Sequence, residues 1–270
     1  MPLTIPSVVS GMTAREYHAI RRFQQSSIRY MLQSPAHWKA HDETPSESTP
    51  QMQFGTVVHA MILEPHTIND VVRVLPADAP DKRSNAGKAW HADFASGGHI
   101  IMSADDYARA AGARTALLAH PAARLLDGAR VEVSMFWDSA YGAPCKARAD
   151  ILAQDCEFVL DVKTTRDASP QEFMRSMWNF RYDIQAAWYI DAVAEVLGHK
   201  PSSFVIAAVE VEPPHGVMFY RIEDHALEIA RRDIAHALYE YVLARESGVW
   251  HGYTTEIMPL SLPAWAKSST

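Results

Sequence analysis

Residues 145–165, CKARADILAQDCEFVLDVKTT, carry the densest chemistry in this chain of 270 residues. A turn centred between Asp155 and Cys156 would set Asp150 opposite Asp161, and Arg148 opposite Lys163, in an antiparallel hairpin. Side chains alternate along a strand, so Asp161 and Lys163 share one face while Phe158, Leu160 and Val162 share the other. Directly opposed residues have Cβ atoms about 5 Å apart. Two carboxylates held that close repel each other unless a cation lies between them. Two carboxylates, a backbone carbonyl and water suit Mg²⁺. A metal so held polarises a phosphoryl oxygen and acidifies a bound water. A neighbouring lysine can orient that water, help to deprotonate it, and offset charge on a phosphorane. The hairpin therefore predicts metal-dependent phosphodiester chemistry. The same alternation of charges also suits a solvated strand face, and Asp-x-Lys alone is a common pattern.

Other groups fit around this core. His59, in the run GTVVH (residues 55–59), can supply a third ligand or steady a second metal; a structural histidine is the plain alternative in a chain with 13 of them. Gln185 and Tyr189 lie at i and i+4, on one face of a helix. Cys145 and Cys156 flank the hairpin and read as small packing residues.

Those residues need elements to hold them. The stretch Thr13–Ala40 reads as helices interrupted at Pro35, and His41–Gln53 as a polar mobile loop. A short helix follows from Phe54 to Pro65, then a strand at 71–75. Residues 76–98, with Lys82, Arg83 and Lys88, read as irregular, and these cations could touch a DNA backbone. A helix spans 104–118, with another possible from Ala122. Strands are expected at 131–138, 145–153, 157–165, 203–212 and 216–223. Helices are expected at 170–180, 183–197 and 225–248, the last closed by Gly248. Helices, strands, helix, strands, helix predict an α/β fold, with one mixed central sheet flanked by helices in a single domain over 1–270.

Composition narrows the function. Apolar residues make up 48% and charged residues 21%, which excludes disorder as the main state. No run of 18 apolar residues exists, so no membrane span is expected, and the first residues do not resemble a secretory leader. Two cysteines cannot build a disulfide framework or a four-cysteine metal site, and point to a reducing, cytoplasmic setting. A net charge of -7 excludes a broadly basic nucleic-acid coat. DNA contact would have to be local, as in a channel with basic walls inside an acidic shell.

The ordered set GTVVH (55–59), Glu132, ARAD (147–150), DVK (161–163) and QAAWY (185–189) resembles the PD-(D/E)XK nuclease superfamily. Within it, the chain is similar to the RecE, lambda-exonuclease and RecB-type nuclease branch, and most of all to RecE-like phage exonucleases. The flanking runs SSIRYMLQSPAHW (26–38) and DKRSNAGKAW (81–90) share that likeness. Ala149 stands where the signature has proline, and the second acid is Asp161 rather than Glu; both departures occur in this branch.

The resemblance implies a restriction-endonuclease-like fold. It implies that Asp150, Asp161, the Val162 carbonyl and His59 hold Mg²⁺, with Mn²⁺ as a possible substitute and two ions in all. Lys163 would be the catalytic lysine, and Gln185 and Tyr189 would support the site and contact DNA. Glu132 falls where related nucleases often carry an acid. Arg21, Arg22, Ser26 and Ser27 fall in the region that forms a 5′-terminal phosphate pocket in relatives. The implied activity is 5′→3′ digestion of double-stranded DNA ends, leaving a 3′ strand for an annealing protein of the RecT or Red-beta kind. The implied assembly is a homo-oligomeric ring, a trimer, in the cytoplasm of a bacterial host, with a prophage as possible source. An endonuclease or repair nuclease of the same superfamily is the nearest alternative. A non-catalytic DNA-binding protein on the same fold is the other.

Overall fold

The computed structural model describes residues 4–44 and 48–262. In chain order the elements are β1 (Ser7–Val9), α1 (Ala14–Ala19), α2 (Gln25–Gln33), α3 (Pro35–Glu43), α4 (Pro50–Leu63), α5 (Ile68–Val71), β2 (Val72–Val74), α6 (Asn85–Phe94), β3 (Ile100–Met102) and α7 (Ala104–Ala119). They continue with β4 (Arg130–Asp138), β5 (Pro144–Leu152), β6 (Phe158–Thr165), α8 (Pro170–Phe180), α9 (Tyr182–Leu197), β7 (Ser203–Glu210), β8 (Val217–Arg221) and α10 (Asp224–Ser247).

Six strands form one sheet in the order β1-β4-β5-β6-β7-β8, and β2 pairs with β3 in a second, two-stranded sheet. The β6–β7 pair is parallel and the other pairs of the large sheet are antiparallel, so the sheet is mixed. Helices α8 and α9 make the crossover that a parallel pair requires.

Alternation along the strands divides the core into two layers. Leu160 and Val162 of β6 and Ala207 and Val209 of β7 pack with Val57, Val58 and Met61 of α4 and Leu117 of α7. Val159, Phe204, Ile206 and Ala208 face the other way, onto Ile184, Trp188 and Ile190 of α9 and Leu238 of α10. Both faces of the sheet are therefore covered. The face bearing Asp161 and Lys163, expected to be polar, lies beneath α9, and Asp161 is only 1% exposed.

Several boundaries differ from expectation. Pro35 starts α3 rather than only ending a helix, because Ser34 caps its N-terminus by accepting a hydrogen bond from His37 N. Most of the polar segment 41–53 is helical: α3 runs to Glu43, and α4 starts at Pro50 with Thr49 as its cap. Residues 45–47 of that segment lie outside the described residues, as do 263–270 of the tail. The stretch 76–98 contains α6, capped by Ser84, whose hydroxyl accepts from Gly87 N. The three-residue strands β1 and β3 carry too little alternation to stand out in the sequence. Among the described residues no helix is long and apolar enough to cross a membrane.

Candidate metal centre

The pairing that brings the acids together is the one expected. Ile151↔Leu160 and Leu152↔Val159 set the register of β5 against β6, and the next step sets Asp150 against Asp161. The ladder opens at that step. Val162 N donates to the Asp150 carboxylate at 2.9 Å, so a side chain takes the place of a strand carbonyl. On the other side of β5, Val131↔Ile151 and Val133↔Ala149 place Glu132 opposite Asp150. Three acids thus lie in a row across three neighbouring strands.

The backbone is distorted where they meet. Glu132 has φ 51, a left-handed conformation that costs a non-glycine residue about 1 kcal/mol or more. Ala147 and Ala149 face α9, whereas Ile151 joins the opposite layer, so the alternation of β5 changes phase at Asp150. Arg148 consequently does not meet Lys163, as the simple hairpin pairing implied. Its Nε donates to the Glu132 carboxylate instead.

His59, on α4, reaches the row from the opposite layer. Its Nδ1 is 3.5 Å from Asp150 Oδ2 and its Nε2 is 2.5 Å from the Val162 carbonyl oxygen. One ligand atom each from His59, Glu132 and Asp150 lie within 4.8 Å of one another. Lys163 Nζ is 2.5 Å from Asp161 Oδ2, and Gln185 Nε2 donates to Asp161 Oδ1 at 2.6 Å. Tyr189, one turn beyond Gln185 on α9, is buried, and burial holds its phenol protonated, well above its ordinary value.

The electrostatics match a centre built for a cation. Burial and the nearby Asp161 carboxylate push the Asp150 carboxyl up to about 7, against a weaker downward pull from His59. Desolvation alone would lower the Lys163 ammonium, but Asp161 and Asp150 outweigh it and hold it charged. Clustered carboxylates, an imidazole nitrogen and a backbone carbonyl fit a divalent metal ion.

Beside the acids opens a cleft of about 240 Å³, lined by Tyr17, His18, Gln24, Gln25, Ser26, Glu132, Lys146, Ala147, Arg148, Asp150 and Tyr189. Its cations come from β5. Arg148 is nine-tenths buried, and its Nη1 has no hydrogen-bond partner among the described residues. The buried Lys146 ammonium already donates to the Tyr17 and Ile20 carbonyls, at 3.0 and 2.7 Å. Burial chiefly pushes the His18 ring down; Lys146 and Arg148 add to this and Glu132 opposes it.

Of the N-terminal group, only Ser26 reaches the cleft. Arg22 is spent on structure: its guanidinium donates to the Cys145 and Trp137 carbonyls at 3.0 and 2.8 Å and pairs with Asp138. Arg21 is exposed, 3.8 Å from Asp42, and Ser27 is buried. Lys82, Arg83 and Lys88 are exposed around the start of α6 and line no part of the cleft; Arg83 pairs with Asp81. The sequence did contain the signal for the true wall. Lys146, Arg148 and Asp150 alternate with alanines, which puts all three on one strand face.

Residues 24–258 match the model of a family described as PDDEXK-like domain of unknown function (DUF3799). A solved protein from Eubacterium rectale, named "Putative exonuclease", superposes with a TM-score of 0.62. It is 14% identical, over 97% of this chain and 99% of that one. A second solved structure, SSO0001, is 13% identical over 77% of this chain and 84% of that one, at a TM-score of 0.30. No curated protein matches the chain by sequence.

Proposed function

Since the chain belongs to the PDDEXK-like family, we propose that it is a divalent-metal-dependent deoxyribonuclease that digests double-stranded DNA from its ends, 5′→3′. The observation that carries this reading is the convergence of His59, Glu132 and Asp150 beside the Asp161–Lys163 pair. The printed name of the Eubacterium rectale protein supports an exonuclease over other nucleases.

The metal, Mg²⁺ with Mn²⁺ as substitute, would be held by Asp150, Asp161, Glu132, His59 and the Val162 carbonyl. When bound, it supplies Lewis-acid polarisation and a nucleophilic water at neutral pH. Lys163 Nζ, kept charged by two carboxylates, supplies a donor and positive charge where a pentacoordinate phosphorus would develop its negative charge. Gln185 fixes the Asp161 carboxylate through Oδ1, which leaves Oδ2 turned toward Lys163. Tyr189 closes the cleft beside them as a neutral phenol.

Preference for 5′-phosphorylated ends fits the cationic half of the cleft. The Arg148 guanidinium would be the donor for a terminal phosphate, with Ser26 also lining the cleft, in place of Arg21 and Arg22. The reading extends, on the family resemblance, to a trimeric ring around duplex DNA that passes its 3′ strand to a RecT-like or Red-beta-like annealing protein.

The test compares end-labelled linear duplex, carrying 5′-phosphate or 5′-hydroxyl, with closed circular plasmid, in Mg²⁺ and in EDTA. Loss of label from linear DNA only, faster from phosphorylated ends and absent in EDTA, is the expected result. Cuts in the circle would make the protein an endonuclease. Binding without cleavage would leave a DNA-binding protein on a nuclease fold. Light scattering of the purified protein reads the ring size.

A further inference from the structure

The large sheet divides at the candidate metal centre. The pairing of β5 with β6 ends at Ile151↔Leu160, one step before Asp150 and Asp161. From there the N-terminal half of β5 stays on β4, with Ala149 opposite Val133 and Ala147 opposite Met135. The C-terminal half of β6 stays on β7, with Lys163 opposite Ala208 and Thr164 opposite Val209. The acids therefore sit at the base of a fork, and each arm carries a cleft. The cleft on the β5 arm is the one lined by Lys146 and Arg148.

The cleft on the β6 arm is larger, about 460 Å³, and opens where the end of β6 meets the start of α4. Thr164, Thr165 and Arg166, the residues that follow Lys163, line it together with Gln51 and Gln53 of α4. Both elements that reach the metal centre thus run on into this cleft. Gln51 lies about two turns before His59 on the same helix. Between them Gly55 lets the helix lie close to the strand, since a Cβ there would meet Thr164 Oγ1 at 3.3 Å. Some of the polar lining is already engaged. Asp106 and Glu212 both pair with Arg109, and the Thr165 hydroxyl bonds the Asp167 backbone. Arg166 is exposed and forms no ion pair among the described residues. The side chains of Gln51, Gln53 and Thr164 form no hydrogen bond among the described residues.

We propose that the cleft on the β6 arm binds the phosphodiester backbone of the cut strand, on the 3′ side of the scissile bond, with Arg166 as its cationic contact. This rests on the nuclease reading above. With the 5′-terminal phosphate in the cleft of the β5 arm and the scissile bond at the base of the fork, the rest of that strand leaves along the other arm. Helix α9 closes one face of the fork over Asp161, so the strand passes on the α4 side, where this cleft lies. Two amides, a hydroxyl and an unpaired guanidinium are donors suited to phosphate oxygens, which an enzyme that moves along DNA contacts without regard to sequence. From Lys163 to Arg166 the chain advances about 10 Å, the axial rise of roughly three nucleotides. The contact therefore falls within about three nucleotides of the scissile bond.

The test uses the full chain and a fluorescein-labelled, 5′-phosphorylated duplex, with Ca²⁺ in place of Mg²⁺ so that binding is read apart from cleavage. Arg166→Ala should weaken binding about threefold or more and lower the slope of log affinity against log salt by about 1, with melting as in wild type. Arg232→Ala, at an exposed arginine of α10 on the opposite layer, should leave affinity and slope as they are. Replacing single phosphates of the cut strand by uncharged methylphosphonates locates the contact. At one position within about three nucleotides 3′ of the scissile bond, the replacement should weaken wild type but cost Arg166→Ala nothing further. Unchanged affinity and slope in Arg166→Ala, or no duplex binding by wild type, overturns the proposal. Losses that add at every phosphate of the cut strand, or coupling confined to the uncut strand, also overturn it. If the coupling is found but wild type cuts no DNA in Mg²⁺, the nuclease reading fails and the binding cleft survives; cleavage without the coupling leaves the reverse.

Discussion

Asp150→Asn should make the metal-free protein more stable while abolishing cleavage. Asp150 is 13% exposed, and its carboxyl is pushed from an ordinary value of 3.8 up to about 7. At 1.36 kcal/mol per pH unit this displacement corresponds to about 4 kcal/mol of disfavoured ionisation. The direction follows from linkage. A carboxyl raised in the folded state holds its proton there while the unfolded chain has already lost it. Its contribution is complete below pH 4 and is lost as pH rises through 7. At pH 8 the metal-free wild type therefore carries the whole penalty. Asparagine removes the charge, yet its side-chain oxygen can still accept from Val162 N, the bond that holds the strands where they part. Because Asp161 shares the repulsion, a net gain of about 2–4 kcal/mol is expected. In a chain of this size each kcal/mol moves Tm by roughly 2–4 °C. Thermal melts of wild type and variant in EDTA at pH 5 and 8, and again with Mg²⁺, read the effect. The variant should melt higher in EDTA at pH 8, the gap should narrow at pH 5, and Mg²⁺ should stabilise wild type far more than the variant. A variant that melts below wild type in EDTA at pH 8 would refute the reasoning, because charge repulsion would then not govern the site.

Asp161→Ala should abolish cleavage and also cost about 3 kcal/mol of stability, since it strands Lys163 and the Gln185 amide in a buried site; an unchanged urea midpoint would contradict this. Lys163→Ala should lower kcat at least a hundredfold with DNA affinity kept in Ca²⁺, and loss of affinity alone would make it a phosphate anchor. His59→Ala should weaken activity and raise the Mg²⁺ concentration needed for half-maximal rate; if only Tm falls, the imidazole is structural. Arg22→Ala should lower stability by about 2 kcal/mol, since three acceptors lose one guanidinium, while any preference for 5′-phosphate ends persists and instead disappears in Arg148→Ala.

The sequence by itself determined the register of the central hairpin. Only one pairing buries Leu160 and Val162 on one face while it sets Asp150 against Asp161, and a slip by one residue would reverse every side chain. Helical spacing likewise placed Gln185 and Tyr189 on one face of α9, and His59 within a helix. The capped helices over 35–43, 50–53 and 85–94 were less legible, because polar residues and prolines read as loop until Ser34, Thr49 and Ser84 are seen as caps.

Tertiary structure alone decided the rest of the centre. Periodicity states which face a residue takes, but not what will cover that face. The acids therefore suited a solvated row as well as a metal site until α9 was seen to lie over Asp161. It also states nothing about contacts between distant segments. Glu132 joins Asp150 only through the pairing of β4 with β5 and a left-handed backbone that alternation forbids. Arginines near the N-terminus invite a phosphate role, but a guanidinium goes to the strongest acceptors within reach. For Arg22 those are two strand carbonyls and Asp138, and for Arg148 the Glu132 carboxylate, with its Nη1 left buried beside the cleft.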